Sequence, residues 1–386
     1  MSTPSDEAAP RRMTRAHWRT VFTVIATTQI VLGLVTAGLV YLGWRHLDHN
    51  IKAGAEIHHY VNAPSKKPGQ ANTPLNILVL GSDTRSGKGN KIDNQAGGGV
   101  SDTTILIHVA ASRKYAYGIS IPRDALVNPL PCSQKAGRYV NKYVNGVMTN
   151  QFTNQLLWNE AYAAGGPECT VEQTEKTFGV HVDDYIVVDF AGFKGMVDAI
   201  GGVNVCIPQP INDPTYTHAH LPAGPSVHLT GTTALQYVRV RHGIGDGTDI
   251  GRMKRQQNFV DAVINQVVSA HTLTRPDLLY RFANALTKSI VTNPEIASTS
   301  ALINLAEQVR GANLAHIKFI SMPNFLFPQG QTGYPHVGLD PSYKQLMKRV
   351  KDDQTLGPFA KTSLVGPKKK LSQQQKSAAA AAGICS

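Results

Sequence analysis

The sequence predicts an α/β protein with a mixed β-sheet covered on both faces, preceded by one transmembrane helix. Two observations carry the sheet. Short apolar runs enriched in β-branched residues alternate with longer stretches of helical spacing, and a composition of 42% hydrophobic and 17% charged residues over 386 positions is that of a globular chain. The third observation carries the anchor: Val21 to Trp44 contains no charged residue. At about 1.5 Å per residue, a helix of that length covers the roughly 30 Å of a bilayer core.

Arg11, Arg12, Arg15 and Arg19 precede this run, and Tyr41, Trp44 and Arg45 close it. Short basic flanks stay in the cytoplasm. Residues 1–20 therefore read as a cytoplasmic basic tail, 21–44 as the transmembrane helix, and everything beyond as extracytoplasmic. A cleaved signal peptide is the competing reading, with Thr36, Ala37 and Gly38 small enough for a peptidase. The apolar run exceeds the usual signal core of about 7–15 residues. The net charge of +12 invites a nucleic-acid partner, but residues 1–20 contribute +2 and residues 361–386 contribute +5, leaving +5 for the body. No uniform duplex-binding face is indicated, and no nucleic-acid partner is expected.

Residues 45–73, polar and rich in Lys, Pro and Asn, read as an extracytoplasmic linker. The main domain, 74–350, opens with the strand Leu75–Leu80, stopped by Gly81. Thr103–Ala111 and Tyr115–Ile121 follow as strands at hairpin spacing. Asn154–Ala164 and Val171–Phe178 have helical spacing, and Tyr185–Val188 is a short buried strand. Phe190–Ile200 is a helix closed by Gly201-Gly202, where a left-handed cap suits glycine. After the strand Val203–Ile207 comes a Pro- and His-rich loop, 208–228. Helices are predicted at Gly231–Val238, Gly251–Ala270, 276–290 and 296–309, with a last strand at Ile317–Met322. Residues 351–386 read as a flexible basic tail, whose final 26 residues hold too few large apolar side chains to fold alone.

Cys132, Cys169, Cys206 and Cys385 form no CxxC pair. In an oxidising compartment one or two disulfides are expected. Cys132 with Cys169 is the preferred pair, since both lie in loop-like sequence. Four thiols, with Cys206 buried in its strand, is the plain alternative.

Asp83 follows the first strand and Asp102 starts the second. If those strands are antiparallel, the two carboxylates fall at one edge of the sheet, a hard-oxygen pair suited to Mg²⁺ with substrate phosphate. Either Asp alone is an ordinary turn residue. Between them stand Gly87, Gly89, Gly97, Gly98 and Gly99, without the spacing of a phosphate loop. Arg123 and Asp124 follow the strand Tyr115–Ile121. The densest constellation is Arg239 and Arg241, then Asp249, Arg252, Arg255 and Gln256. Arg252 and Gln256 share a helix face at i,i+4, and Arg239 and Arg241 point the same way if their segment is extended. Converging guanidinium groups suit a pyrophosphate. His218 and His220, at strand spacing, are read as loop histidines rather than metal ligands.

Taken together, NILVLGSDTR, SDTTILIHV, SIPRD, DYIVVDFAGFKGMVDAIGGVNV and TALQYVRVRHGIGDGTDIGRMKRQQ, in this order between Leu75 and Val268, resemble the LytR-CpsA-Psr family of cell-wall glycopolymer ligases. The resemblance implies a three-layer α/β/α sandwich with a hydrophobic pocket for a polyprenyl chain, lined by parts of Phe190–Ile200, Phe259–Val268 and Leu278–Leu286. It implies transfer of a glycopolymer from a polyprenyl-pyrophosphate carrier to a peptidoglycan hydroxyl, leaving a phosphodiester. Asp83 and Asp102 match the family's Mg²⁺-binding carboxylates. Arg123, Arg239, Arg241, Arg252 and Gln256 match pyrophosphate-contacting positions, with Arg85 and Asp249 in the motifs around them. Asp124 or a metal-held group is then the base for the acceptor hydroxyl. The 83–102 segment is longer and richer in glycine than the family's usual pattern, and no motif is matched after residue 270. A non-catalytic binder of lipid-linked glycan and a hydrolase share these residues. An envelope regulator fits poorly, because about 20 residues lie inside the cell and carry no helix-turn-helix pattern.

Overall fold

The computed structural model describes residues 15–64, 72–82, 99–132, 138–144, 147–153, 155–269, 275–312, 317–364 and 371–385. They form two units, residues 1–49 and 50–386. The first is dominated by α1 (Arg15–Asn50), within which an 18-residue window of Trp18–Asn50 has a mean hydropathy of 1.9 and no buried residue. By length and composition it suits a membrane crossing. It runs past both ends of the predicted span, and its threonines are helix-compatible because Thr23, Thr27, Thr28 and Thr36 donate to carbonyls one turn back.

In the second unit β1 (Lys52–Ala53) precedes β2 (Leu75–Ser82), β3 (Ser101–Val109) and β4 (Ala116–Ile121). Next come β5 (Leu126–Val127), the hairpin β6 (Arg138–Val144) and β7 (Val147–Thr153), β8 (Leu156–Leu157) and α2 (Glu160–Phe178). The helix expected at Asn154–Ala164 is corrected: Leu156 and Leu157 pair with Val127 and Leu126, and α2 starts at Glu160. Inside α2, Gly165 and Gly166 leave helical geometry just before Pro167, which cannot donate to the ladder. β9 (Asp184–Asp189), α3 (Phe190–Ala199) and β10 (Val203–Ile207) match expectation, and Gly201 and Gly202 take positive φ of 78° and 87°.

The predicted loop 208–228 instead holds β11 (Ile211–Asp213), β12 (Ala219–Leu221) and the start of β13 (Gly224–Leu229). β11 pairs with β12, and β13 pairs with β10. The chain continues through α4 (Gly231–Arg239), α5 (Asp249–Ser269), α6 (Pro276–Ser289), β14 (Ile290–Thr292), α7 (Thr299–Arg310) and β15 (Lys318–Ser321). It ends with β16 (Asn324–Leu326), β17 (Val337–Leu339), α8 (Tyr343–Lys351) and α9 (Gln373–Ala382).

Seven strands form the main sheet, in the order β1-β14-β9-β2-β3-β4-β15. β2 is parallel to β9 and antiparallel to β3, so the sheet is mixed. Side-chain alternation splits its faces. Leu78, Leu80 and Leu106 pack with Val171 and Phe178 of α2 and with Leu346, Met347 and Val350 of α8. On the other face, Ile105 and Phe319 pack with Val260 and Ile264 of α5, and Ile77 with Leu302 and Leu305 of α7. The result is the three-layer α/β/α sandwich.

The linker expectation is corrected over residues 50–61. β1 adds to the sheet edge beside β14, and Tyr185 donates to the Ala55 carbonyl. The buried Glu175 carboxylate accepts N–H groups from Tyr60, Val61 and Val182 and lies 2.9 Å from His59 Nδ1. His181 stands beside them, and its Nδ1 lies 2.7 Å from the Val61 carbonyl, which can only accept, so these side chains together tie the strap to the domain.

The C-terminal expectation is corrected as well. Ser372 and Gln375 form a capping box at the start of α9, and Cys385 is disulfide-bonded to Cys206. Cys132 pairs with Cys169 as expected, so the structure holds two disulfides.

Candidate active site

The ends of several strands bring the site together. Register pairs Ser82 with both Ser101 and Asp189, while Thr104 pairs with Ile121. The C-terminal ends of β2, β4 and β9 and the start of β3 therefore share one edge. Gly81 pairs with Thr103 but Ser82 with Ser101, leaving Asp102 as the extra residue of a bulge, a device that re-aims a side chain. Asp83 and Arg85 lie outside the described residues, as do Gly87, Gly89, Gly97 and Gly98.

Asp102 forms an ion pair with Arg123 Nη1, and Arg252 Nη1 stands 3.8 Å from the same oxygen. Asp249 Oδ1 gathers three cations: Arg252 Nη2 at 2.7 Å, Arg241 Nη2 at 3.2 Å and Arg123 Nε at 3.3 Å. Arg123 Nε is also 3.3 Å from Asp124. Arg239, the last residue of α4, places its guanidinium carbon 4.7 Å from the Phe190 ring centroid. It bridges into the cluster electrostatically, acting on Asp102. The extended segment predicted for Arg239 and Arg241 is thus a helix end followed by the extended Val240, and both guanidinium groups still act on this cluster.

Burial alone would raise the Asp102 carboxyl, but Arg252 and Arg123, then Arg239, outweigh it and hold the group below the ordinary carboxylate range. Asp124 goes the other way. Burial pushes it up, Asp249 adds to the rise, and Arg123 only partly offsets them. For Arg123, the lowering by burial is outweighed by Asp102, Asp249 and Asp124. The cluster thus holds one carboxylate stabilised in its ionised form beside one whose affinity for a proton is raised.

Two expectations are corrected. Arg255 is fully buried. It donates to the carbonyls of Val240 and Ala382, so it braces the segment between Arg239 and Arg241 instead of facing a ligand. Burial lowers its pKa to about 10, which leaves it charged at neutral pH. Gln256 is also buried, and its amide N–H donates to the Val238 carbonyl at 3.2 Å, tying α5 to the end of α4. His218 and His220 lie in the β11–β12 hairpin and join no cluster of metal-ligating groups among the described residues.

Sequence reasoning missed how α9 supports the site. Asp246 N–H donates to the Ala381 carbonyl. Gly245, at φ 58°, packs so closely that an added Cβ would stand 2.3 Å from that oxygen. The loop leading to Asp249 therefore rests on α9. The Ser372–Gln375 capping box and an unassigned Cys385 were the available signals.

The profile of the LytR_cpsA_psr family matches residues 46–352. The chain belongs to this family. The match extends beyond the span of the recognised motifs on both sides, taking in the strap and α6 to α8. Among LytR_cpsA_psr relatives, "Cell wall biosynthesis protein LcpA" of Corynebacterium glutamicum is 29% identical over 343 residues, 82% of this chain and 62% of that protein. "Polyisoprenyl-teichoic acid--peptidoglycan teichoic acid transferase TagV" of Bacillus subtilis is 27% identical over 289 residues, 72% of this chain and 66% of that protein. The chain thus spans less than two thirds of the length of either relative. In structure it is similar to the LytR-Csp2A-Psr enzyme from Actinomyces oris, with a TM-score of 0.52 at 20% identity, covering 78% of this chain and 97% of that one. That likeness concerns the fold.

Within the LytR_cpsA_psr fold, Asp102 on its bulge at the sheet edge is an oxygen donor kept ionised, the charge state that a hard cation such as Mg²⁺ asks of a carboxylate.

Proposed function

We propose that this protein is a membrane-anchored transferase, its N-terminus cytoplasmic and residues from about 50 onward extracytoplasmic. It moves a glycopolymer from a polyprenyl-pyrophosphate carrier to a peptidoglycan hydroxyl. The observation that carries the reading is Arg123, Arg239, Arg241 and Arg252 gathered around Asp102, Asp124 and Asp249 at one sheet edge. Phosphoryl transfer asks a protein mainly for positioning and charge neutralisation, and this cluster offers both. TagV, named as a teichoic acid transferase, supports the same reaction class, and LcpA, named for cell wall biosynthesis, supports the same process.

The arginines hold the pyrophosphate oxygens. Asp124 takes the proton from the acceptor hydroxyl, whose oxygen forms a new bond to the glycan-linked phosphorus as the bridging P–O bond breaks. The polyprenyl phosphate leaves. Asp102, with Asp83, would hold Mg²⁺, which when bound supplies further neutralisation of the phosphate charge. Arg255 and Gln256 position the backbone carrying Arg239 and Arg241. The polyprenyl chain lies where α3, α5 and α6 converge, around Phe193, Phe259, Val263 and Phe282, with Leu279 and Tyr280 exposed on α6.

The test uses the full chain in detergent micelles with a polyprenyl-pyrophosphate oligosaccharide and peptidoglycan fragments. Products are read by mass spectrometry with Mg²⁺ or EDTA. A Mg²⁺-dependent glycan-phosphate-peptidoglycan adduct is expected. Release of free glycan phosphate without adduct would make the protein a hydrolase, and an unconsumed donor that co-purifies would make it a binder.

A further inference from the structure

Outside the arginine cluster, a cleft of about 570 Å³ opens between α2, β5 and the β16–β17 hairpin. Phe325 on its wall is 42% exposed. Its ring is seated on Gly338, where an added Cβ would stand 2.3 Å from Cζ. One ring face therefore lies against backbone while the side chain stays open to solvent. Phe327 meets it edge-on at 5.0 Å and fixes its orientation.

Opposite stands Gln173, 1% exposed. Its amide nitrogen donates to Thr177 Oγ1 at 2.8 Å and to the Asn128 carbonyl at 3.4 Å, while its Oε1 has no hydrogen-bond partner among the described residues. Buried acceptors are rarely left so, and this one lines the cleft, suited to a ligand donor. Asn128 and Gln155 add further amides, and among the described residues no carboxylate lines the walls. The one cation among the described lining residues, Lys176, is already engaged by Glu172 at 3.1 Å and by the Tyr60 ring.

An aromatic side chain with an exposed π surface, set among neutral amides, is the chemistry of saccharide recognition. The electron-rich ring face meets the C–H patches of a sugar, and amides exchange hydrogen bonds with hydroxyl and N-acetyl groups. A phosphate would find no free cation among the described lining residues, and a lipid tail would strand the amides. The cleft is also joined to the site. β5 starts two residues after Asp124, and the Asp124 carbonyl accepts the Val337 N–H at 3.1 Å, so two walls of the cleft are tied to the residue assigned to the acceptor's proton.

We infer that this cleft is the subsite for the sugar chain of the acceptor. The glycan strand would lie on Phe325, donate to Gln173 and lead its reacting hydroxyl towards Asp124. The inference rests on the transferase reading and deepens it by locating the acceptor.

The experiment titrates the full chain in detergent micelles with a soluble chito-oligosaccharide, followed by saturation-transfer NMR on the sugar C–H protons. Acceptor and donor KM are measured separately in the transfer assay. Phe325→Ala is expected to weaken oligosaccharide binding about tenfold and raise acceptor KM to match, with donor KM unchanged. Phe325→Tyr retains binding, and Arg239→Ala binds the oligosaccharide as the parent does while losing transfer. Absence of saturable binding in the parent protein overturns the subsite, as does a Phe325→Ala variant with parental affinity or acceptor KM. If the parent fails to bind the oligosaccharide yet transfers glycopolymer, only the subsite falls. If no adduct forms under any condition, the transferase reading falls with it.

Discussion

Asp102 and Asp124 are both in ion-pair range of Arg123, yet their environments drive them in opposite directions. Asp102 has Arg252 and Arg239 in addition, whereas Asp124 has burial and the Asp249 charge as its leading influences. Because the Asp124 pKa is raised, activity should climb as pH rises through it. Asp124→Asn should remove that limb of the kcat/KM profile and lower the plateau by about 10²–10⁴-fold; a retained limb would assign the base elsewhere. Asp183 offers a stability test. Burial raises its pKa to about 6, with Asn76 N–H and His181 opposing. Between the unfolded value near 3.9 and about 6, the folded carboxyl keeps a proton that the unfolded one has lost, so stability falls as pH rises through that window. Asp183→Asn keeps an acceptor for the Asn76 N–H. It should unfold later than the parent above about pH 6, by up to about 2–3 kcal/mol, and match it near pH 4. At this scale the arginines and Asp102 were legible, since the motifs carry them. Arg255 was not, because a sequence shows a charge and its helical face but not that two carbonyls from distant segments close over it.

Among the elements, β2, β3, β4, β9 and β15 of the central sheet were legible because their β-branched alternation is local. The two-residue β1 and the three-residue β14, β11 and β12 were not. Their pairing is fixed by partners far along the chain or by a hairpin in Pro- and His-rich sequence, not by periodicity. Helix packing beside the site turns on one close approach. At Gly192 in α3, an added Cβ would stand 2.1 Å from Ser289 Cβ of α6. Gly192→Ala must push α6 away and should cost about 1–3 kcal/mol, read by denaturant unfolding. Since Gly192 N–H also bonds the Asp189 cap and Phe190 supports Arg239, transfer should fall too. A variant with parental stability would show that the two helices separate easily.

For the whole molecule, the sandwich was legible from alternating elements, while the role of the C-terminal segment was not. Its small side chains cannot build a core alone, but capping, a disulfide and the Arg255 and Asp246 bonds dock it on the site loop. Replacing both Cys206 and Cys385 by Ser should cost about 2–5 kcal/mol. It should also lower transfer at temperatures where the protein is still folded, whereas the same change at Cys132 and Cys169 should affect stability more than turnover. Equal transfer by the two variants would deny α9 its bracing role. The Cys206–Cys385 bond, with a sequence separation of 179, also closes a covalent ring. Arg239, Arg241, Asp249 and Arg252 lie within that ring, while Asp102, Arg123 and Asp124 lie on the open chain before it. A protease that cuts the ring once therefore releases no fragment. The nicked protein gains only the mass of one water until a thiol is added, and both halves of the site stay joined after the backbone between them is broken.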